Sequence, residues 1–138
     1  MHEHRQEIRF SDIDAMGHVN NAVYLNYLEQ ARISFFRAIL GRPWDWNAAG
    51  IIVGRNTIDY MAPIKFNDNI VIRTYVTRVG TKSFNLTYEV LRVFEDGEQL
   101  CSKAESVMVC FDYHSQQTIE VPPLWREYFQ KVISEVPK

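Results

Sequence analysis

The longest run of periodic apolar residues, residues 21–40, constrains the fold more than any other segment of the chain. Apolar side chains recur there at spacings of three and four residues, which predicts an α-helix with one continuous stripe: Tyr24, Leu28, Ala31, Phe35 and Ile39. Further apolar positions widen this stripe to more than half of the circumference: Leu25, Ile33, Phe36 and Leu40. Such a helix is buried on most sides, so the rest of the chain has to cover it. Gly41 followed by Pro43 predicts its end.

Later segments of the chain have the features of β-strands. They alternate apolar and polar residues with a period of two and are rich in β-branched and aromatic side chains: residues 51–61, 69–79, 83–95 and 100–112. The connections between them are short, and Asp96-Gly97 is a strong hairpin signal. Short connections make neighbouring strands antiparallel, because a parallel crossover needs a dozen or more residues. We also predict a first strand at Gln6–Phe10 and a shorter helix over residues 122–136.

This order of elements predicts an α+β fold. A helix that is apolar nearly all round needs a sheet that curls around it, so we expect a long central helix wrapped by an antiparallel sheet of about five strands. A sheet of that kind leaves exposed edges, which a second copy of the chain can cover, and we therefore expect a homodimer. The length of 138 residues suits a single domain over residues 1–138.

Charge and composition exclude several partners and compartments. The net charge of −2 argues against a nucleic-acid or anionic-membrane partner. No apolar run approaches the roughly 20 residues that a bilayer span requires, and the N-terminal MHEHRQEIRF lacks the apolar core of a signal peptide. Cys101 and Cys110 have no CxxC spacing, so we expect buried, inert thiols. A cytoplasmic protein is predicted.

Motifs for cofactors and metals are missing from the sequence. It contains no P-loop, no GxGxxG, no HExxH and no GxSxG elbow. His2 and His4 lie in a terminus that we expect to be frayed, and they make a poor metal site. We therefore predict that the protein uses neither a cofactor nor a metal.

The segment FSDIDAMGHVNN, residues 10–21, stands directly before the predicted helix. One interpretation is helix capping, in which Asn20 or Asn21 is the N-cap and the helix dipole stabilises Asp12 and Asp14. The other interpretation is catalytic. Free N–H groups at a helix N-terminus can hold an oxyanion, and a nearby carboxylate can act as general base or nucleophile. Together they suffice to hydrolyse an activated acyl group without a cofactor.

The sequence FSDIDAMGHVNNAVYLNYLEQARISFF resembles the signature of hotdog-fold acyl-CoA thioesterases of the 4-hydroxybenzoyl-CoA thioesterase type. A weaker likeness extends over nearly the whole chain and includes YMAPIKFNDNIVI and GTKSFNLTYEV. The resemblance implies a hotdog fold and the hydrolysis of an acyl-CoA thioester to a free carboxylic acid and CoA. It also implies a homodimer or homotetramer.

The resemblance implies catalytic roles for three residues before the helix. Asp14 falls on the family's catalytic carboxylate, which acts as nucleophile or general base. The backbone N–H of Asn21 falls on the oxyanion position. His18 corresponds to a histidine with a catalytic part in plant acyl-ACP thioesterases, although those enzymes have an asparagine where Met16 stands here.

Two further residues correspond to substrate-binding positions of the family. Glu29 falls where the benzoyl-type enzymes carry an aspartate that lines the acyl pocket; the alternative for it is an i,i+3 ion pair with Arg32. Lys82 matches a lysine that pairs with CoA phosphates; the alternative for it is a solvated hairpin charge. Gly80 and Thr81 stand where the benzoyl-type relative has arginines.

Other functions remain open at this level. An acyl-ACP thioesterase would use the same residues on a different carrier. A non-catalytic module that binds acyl-CoA or an acyl carrier would keep the fold alone. The hydratase branch of the same fold needs a catalytic histidine in a different segment, and His18 is the only candidate for one.

Overall fold

Residues 1–41 and 43–136, which a computed structural model describes, form two α-helices and six β-strands. In chain order these are β1 His2–Gln6, α1 Val23–Leu40, β2 Gly50–Tyr60, β3 Ile70–Val79, β4 Ser83–Phe94, β5 Gly97–Asp112, β6 Gln117–Thr118 and α2 Pro123–Val132. Short 3-10 turns at Phe10–Asp12 and Ile133–Glu135 complete the set. The α+β class is therefore confirmed.

The six strands form one antiparallel sheet with open ends. Its order is β1-β3-β4-β5-β2, and β6 pairs with the end of β5. The long strands β2 to β5 agree with the predicted ones apart from small shifts at their ends, and β5 begins earlier, at Gly97. The prediction of about five strands missed β6, because a strand of two residues gives no periodic signal.

The N-terminus differs from the prediction. A strand at Gln6–Phe10 was wrong, since β1 is His2–Gln6 and a 3-10 turn begins at Phe10. His2 and His4 are therefore not frayed: they pair with Thr74 and Ile72 of β3. The sequence of β1, HEHRQ, is polar throughout, so pairing with β3 and contact with α1 stabilise it rather than an apolar pattern.

Helix α1 packs against β1 and β3 and is covered on one side only. Gly41, with a φ of +57°, ends it as predicted. The buried side chains are Tyr24, Tyr27, Leu28, Ala31, Arg32, Phe35 and Phe36. Leu25 and Ile33 remain 43% and 46% exposed, so the coverage expected of a central helix is incomplete within one chain. Among the described residues, neither helix combines the length and apolarity needed to cross a bilayer.

Helix α2 closes the aromatic part of the core. Trp125 and Phe129 are fully buried. The ring of Phe129 lies 4.7 Å from that of Phe84 on β4, and the ring of Trp125 lies 5.2 Å from that of Phe36 on α1. These contacts attach α2 to both the sheet and the first helix.

We expect Phe129→Ala to lower the free energy of unfolding by about 3–5 kcal/mol, because it leaves a cavity among buried rings. Leu124→Ala is the matched control on the same helix, since Leu124 is 40% exposed; its change should stay within about 0.5 kcal/mol. Urea denaturation followed by circular dichroism measures both. Equal losses would show that α2 is not anchored through Phe129.

Candidate active site

A tight turn holds Asp14 in front of α1. Ile13 and Val19 face each other in an isolated antiparallel bridge, and the Asp14 N–H donates to the carbonyl of His18 at 2.8 Å. The Gly17 N–H donates to the Asp14 carbonyl at 3.0 Å. Gly17 has a φ of +78°, in the left-handed region that glycine adopts without a Cβ clash. The sequence DAMGH therefore closes a loop whose first residue is the aspartate.

One oxygen of the Asp14 carboxylate is fixed by this turn and the other is free. Oδ1 accepts the N–H of Met16 at 2.9 Å and that of His18 at 3.3 Å. Oδ2 accepts no hydrogen bond from the described residues, and the side chain is half-buried. The carboxylate thus has a defined orientation and one oxygen left for chemistry.

Asp12, two residues earlier, has a different environment. It is 2% exposed; its Oδ2 accepts the hydroxyl of Tyr27 at 2.6 Å and the N–H of Arg9 at 2.9 Å. Burial raises the pKa of Asp12, but the hydrogen bonds from Tyr27 and Arg9 outweigh it, so the pKa lies below its ordinary value. Asp12 is therefore a structural carboxylate with no free oxygen: the Arg9 guanidinium binds its Oδ1 at 3.2 Å.

The start of α1 combines a capped and an uncapped N–H group. Asn20 Oδ1 accepts the N–H of Ala22 at 2.9 Å, which supports the capping interpretation for Asn20, although the N-cap residue itself is Ala22. The carbonyl of Asn21 accepts the hydroxyl of Tyr60 at 3.0 Å. The N–H of Asn21 donates no hydrogen bond within residues 1–41 and 43–136. Capping therefore leaves one backbone donor available.

A cavity of about 230 Å³ brings three of the predicted residues together. Asp14, His18 and Asn21 line it with Val19, Tyr24, Tyr60, Met61, Ala62 and Pro63. The two tyrosine rings pack edge to face, 4.9 Å apart. Burial raises the pKa of Tyr24 to about 12, so its hydroxyl keeps its proton at neutral pH. Sequence reasoning missed Tyr60 as a site residue, because its place at the end of a strand carries no local signal.

Glu29 lines a second, larger cavity of about 500 Å³. The other residues around it are Arg32, Ile33, Phe36, Arg37, Leu40, Trp44, Trp46, Ile51, Val53 and Met108. Glu29 is exposed, and within the part of the chain that the structure describes it forms no ion pair with Arg32. The i,i+3 alternative for Glu29 is therefore not realised.

Lys82 lies apart from both cavities. It is exposed in the hairpin between β3 and β4, and its Nζ lies 3.4 Å from Oγ1 of Thr118. Within one chain, the structure does not bring Lys82 next to Asp14, which lines the smaller cavity.

Both cysteines are buried and free, as expected. Burial raises the pKa of the Cys101 thiol and raises that of Cys110 to about 12. Neither thiol is available as a nucleophile at neutral pH, because the thiolate is the reactive form.

Comparison with known proteins identifies relatives of the whole fold. Residues 8–129 match the family model of the thioesterase-like superfamily. The chain is 28% identical to the long-chain acyl-CoA thioesterase FadM of Escherichia coli K12, over 92% of this chain and 96% of that protein. A thioesterase from Thermus thermophilus, solved with coenzyme A and Zn, is 28% identical with a TM-score of 0.80, over 99% and 96% of the two chains. A 4-hydroxybenzoyl CoA thioesterase mutant complexed with 4-hydroxybenzoyl CoA is 21% identical with a TM-score of 0.82, over 91% and 95%, which shows a shared fold alone.

We expect Asp12→Asn to lower the free energy of unfolding by about 1–3 kcal/mol at neutral pH, because it weakens buried hydrogen bonds to a charged group. A lowered folded-state pKa contributes stability above the unfolded pKa of about 4, and this contribution is lost as the pH falls through the folded pKa. Urea denaturation at about pH 7 and about pH 3 should therefore show a difference from wild type that shrinks in acid. Asp96→Asn is the control, because Asp96 is exposed and its side chain accepts no hydrogen bond from the described residues; its change should stay within about 0.5 kcal/mol. A constant Asp12→Asn difference at both pH values would contradict the assigned pKa direction.

Proposed function

The chain belongs to the thioesterase-like superfamily and is a thioester hydrolase, and we propose that it hydrolyses acyl-CoA thioesters to a free carboxylic acid and CoA. One observation carries this proposal: among the described residues, the Oδ2 of Asp14 and the N–H of Asn21 have no hydrogen-bond partner, and both residues line the same small cavity. A thioester carbonyl bound between them has a nucleophile or base on one side and a donor for its oxygen on the other.

Asp14 can act by two routes. In the nucleophilic route its Oδ2 attacks the thioester carbon, the C–S bond breaks, and water then hydrolyses the mixed anhydride to the acid and the free carboxylate. In the general-base route Asp14 takes a proton from the attacking water and returns it to the departing CoA thiolate. In both routes the Asn21 N–H stabilises the oxyanion of the tetrahedral intermediate.

His18 and Tyr60 position these two groups. The backbone of His18 holds Asp14 through its N–H and its carbonyl, and we propose a secondary part in proton transfer for its ring, because the residue lines the cavity. The hydroxyl of Tyr60 binds the carbonyl of Asn21, and so orients the residue that supplies the oxyanion donor.

The acyl group is proposed to extend along α1 toward Glu29. Glu29 lies eight residues after Asn21, about 12 Å along the helix. Residues of α1 and β2 line both cavities, and the proposed path of the acyl group runs along these two elements from the smaller cavity to the larger one.

We propose that two copies pair through β2. This edge strand has 11 residues, and residues 52–57 are all exposed. Ile52 and Val53 are large apolar residues on it, 38% and 42% exposed. A long exposed edge strand is a template for pairing with another chain. A second copy there would also cover the open side of α1, as a central helix wrapped by sheet requires, and a homotetramer would be built from such dimers.

This pairing would bring Lys82 to the active site of the other copy. Lys82 precedes Ser83, which is in register with Val109, and Val109 is in register with Ile52 of β2. When two antiparallel β2 strands meet at their midpoints, Ile52 of one copy lies close to the Tyr60 end of the other. We propose that Lys82 there binds the phosphates of CoA.

We expect Asp14→Asn to lower kcat with an acyl-CoA about 100-fold or more, because the base or nucleophile is lost. Asn21→Ala should retain turnover within about tenfold, since the backbone N–H remains. Release of CoA thiol measures both, with thermal melting as the folding control. Asp14→Asn turnover close to wild type would contradict the assignment, and hydrolysis of acyl-ACP alone would favour the carrier-protein alternative. Ligand-induced stabilisation without thiol release would favour the binding module.

A mixture of two variants tests whether Asp14 of one copy and Lys82 of the other belong to one active site. Asp14→Asn and Lys82→Ala should each be impaired at low acyl-CoA concentration, but heterodimers formed by co-refolding should regain turnover. One of their two sites then combines an intact Asp14 with an intact Lys82 from the other copy. Turnover of the mixture equal to the mean of the two parents would contradict the proposed pairing, as would a wild-type monomer in sedimentation.

A further inference from the structure

Arg32 is a buried cation on α1 whose side chain has one hydrogen-bond partner, a neutral one, among the described residues. Its side chain is 7% exposed and lines the cavity of about 500 Å³. One guanidinium nitrogen donates to the hydroxyl of Tyr88 at 3.2 Å, which is long for a charged donor. A guanidinium carries five N–H donors in a planar fork, so this bond leaves most of its capacity unused.

No carboxylate of the described residues neutralises Arg32. Within residues 1–41 and 43–136, none lies within 4.0 Å of the guanidinium. Burial raises the pKa of Tyr88 although the Arg32 charge opposes the shift, so the hydroxyl of Tyr88 is uncharged at neutral pH. A buried charge without a counter-charge is strongly unfavourable. The described residues therefore supply no counter-charge for this guanidinium.

The cavity beside Arg32 has the properties of a site for an acyl tail. Its volume lies in the range of small-molecule pockets. Much of its wall is apolar and includes Trp44 and Met108. The charged residues around it are Glu29, Arg32 and Arg37, which leave one positive charge in excess. An occupant with an apolar body and an anionic end matches this lining.

We propose that this cavity binds the far end of the acyl group and that this end carries a carboxylate, which Arg32 binds through the unused edge of its guanidinium. The preferred substrates are then CoA monothioesters of α,ω-dicarboxylic acids. The inference rests on the proposed function, because the thioester of the same molecule lies between Asp14 and Asn21. Planar bidentate pairing explains why an arginine rather than a lysine serves there.

The distance along α1 sets the length of the acyl chain. Arg32 follows Asn21 by eleven residues, or about 16 Å of helix. Side chains on a helix tilt toward its N-terminus, which brings the guanidinium closer to the thioester site. The acyl chain therefore has to span less than about 16 Å between its thioester and its far carboxylate.

The test compares substrates that differ only at the far end. CoA monothioesters of dicarboxylic acids with about eight, ten and twelve carbon atoms are assayed beside the CoA thioesters of the matching monocarboxylic acids. Wild type should prefer the carboxyl-terminated series in kcat/KM, and Arg32→Met should reverse this preference by about 100-fold. Arg78→Met, which changes an exposed arginine outside both cavities, is the matched control and should keep the wild-type ratio.

A binding measurement separates this inference from the proposed function. Free α,ω-dicarboxylic acid of the preferred length should raise the Tm of wild type and not that of Arg32→Met, whether or not any thioester is hydrolysed. Turnover that depends on Asp14 but ignores the far carboxylate would overturn the inference and leave the hydrolase intact. If no thioester is hydrolysed, the proposed function fails, and the Tm shifts alone decide whether Arg32 binds the carboxylate.

The remaining possible result is that a carboxylate of a second copy, and not of the substrate, neutralises Arg32. If a carboxylate of another chain neutralises Arg32, Arg32→Met should change the oligomeric state in sedimentation and leave the substrate ratio unchanged. That result would overturn the inference. Arg32→Met should fold, because replacing a buried charge by an apolar side chain of similar volume is often neutral or stabilising.

Discussion

The buried carboxylate of Asp12 is the contact on which the candidate site depends. Asp12 joins three parts of the chain. Tyr27 from α1 and Arg9 from the preceding turn donate hydrogen bonds to its carboxylate. The backbone carbonyl of Asp12 accepts the N–H of Asn20. These bonds fix where the chain leaves the sheet and where it enters the helix. The turn that carries Asp14 lies between Asp12 and Asn20, so the position of both its ends depends on the hydrogen bonds of Asp12.

Much of the sheet could be predicted from the sequence, because strands β2 to β5 alternate clearly and their connections are short. Phe84, Leu86, Tyr88 and Val90 of β4 all face the core, as their spacing of two requires. Strand β1 was misplaced for the opposite reason. Its residues are polar, and its conformation comes from pairing with β3, a contact between segments about seventy residues apart that no local pattern records.

The residues of the site also fall into those that a local pattern predicts and those that only the fold brings together. Asp14, His18 and Asn21 lie within eight positions of each other, so a single turn brings them to one cavity and a short motif can reveal them. Tyr60 reaches the cavity from β2, and only the folded chain shows it. Arg32 is a similar case: an arginine would be assigned to the surface from its residue type, and its burial depends on how α1 packs against the sheet.

The hydrogen bond from the Tyr60 hydroxyl to the Asn21 carbonyl connects the end of the edge strand β2 to the start of α1. Tyr60 is the last residue of β2, and Asn21 lines the cavity and carries an N–H that donates no hydrogen bond among the described residues. Any displacement of the strand therefore tilts the peptide groups on either side of Asn21. In the isolated chain β2 is held by β5 on one edge only, whereas a second copy on its outer edge would hold it on both. In the dimer proposed above, a neighbour on β2 would therefore also hold Asn21 in place, and specific activity would fall on dilution below the dissociation constant of that dimer.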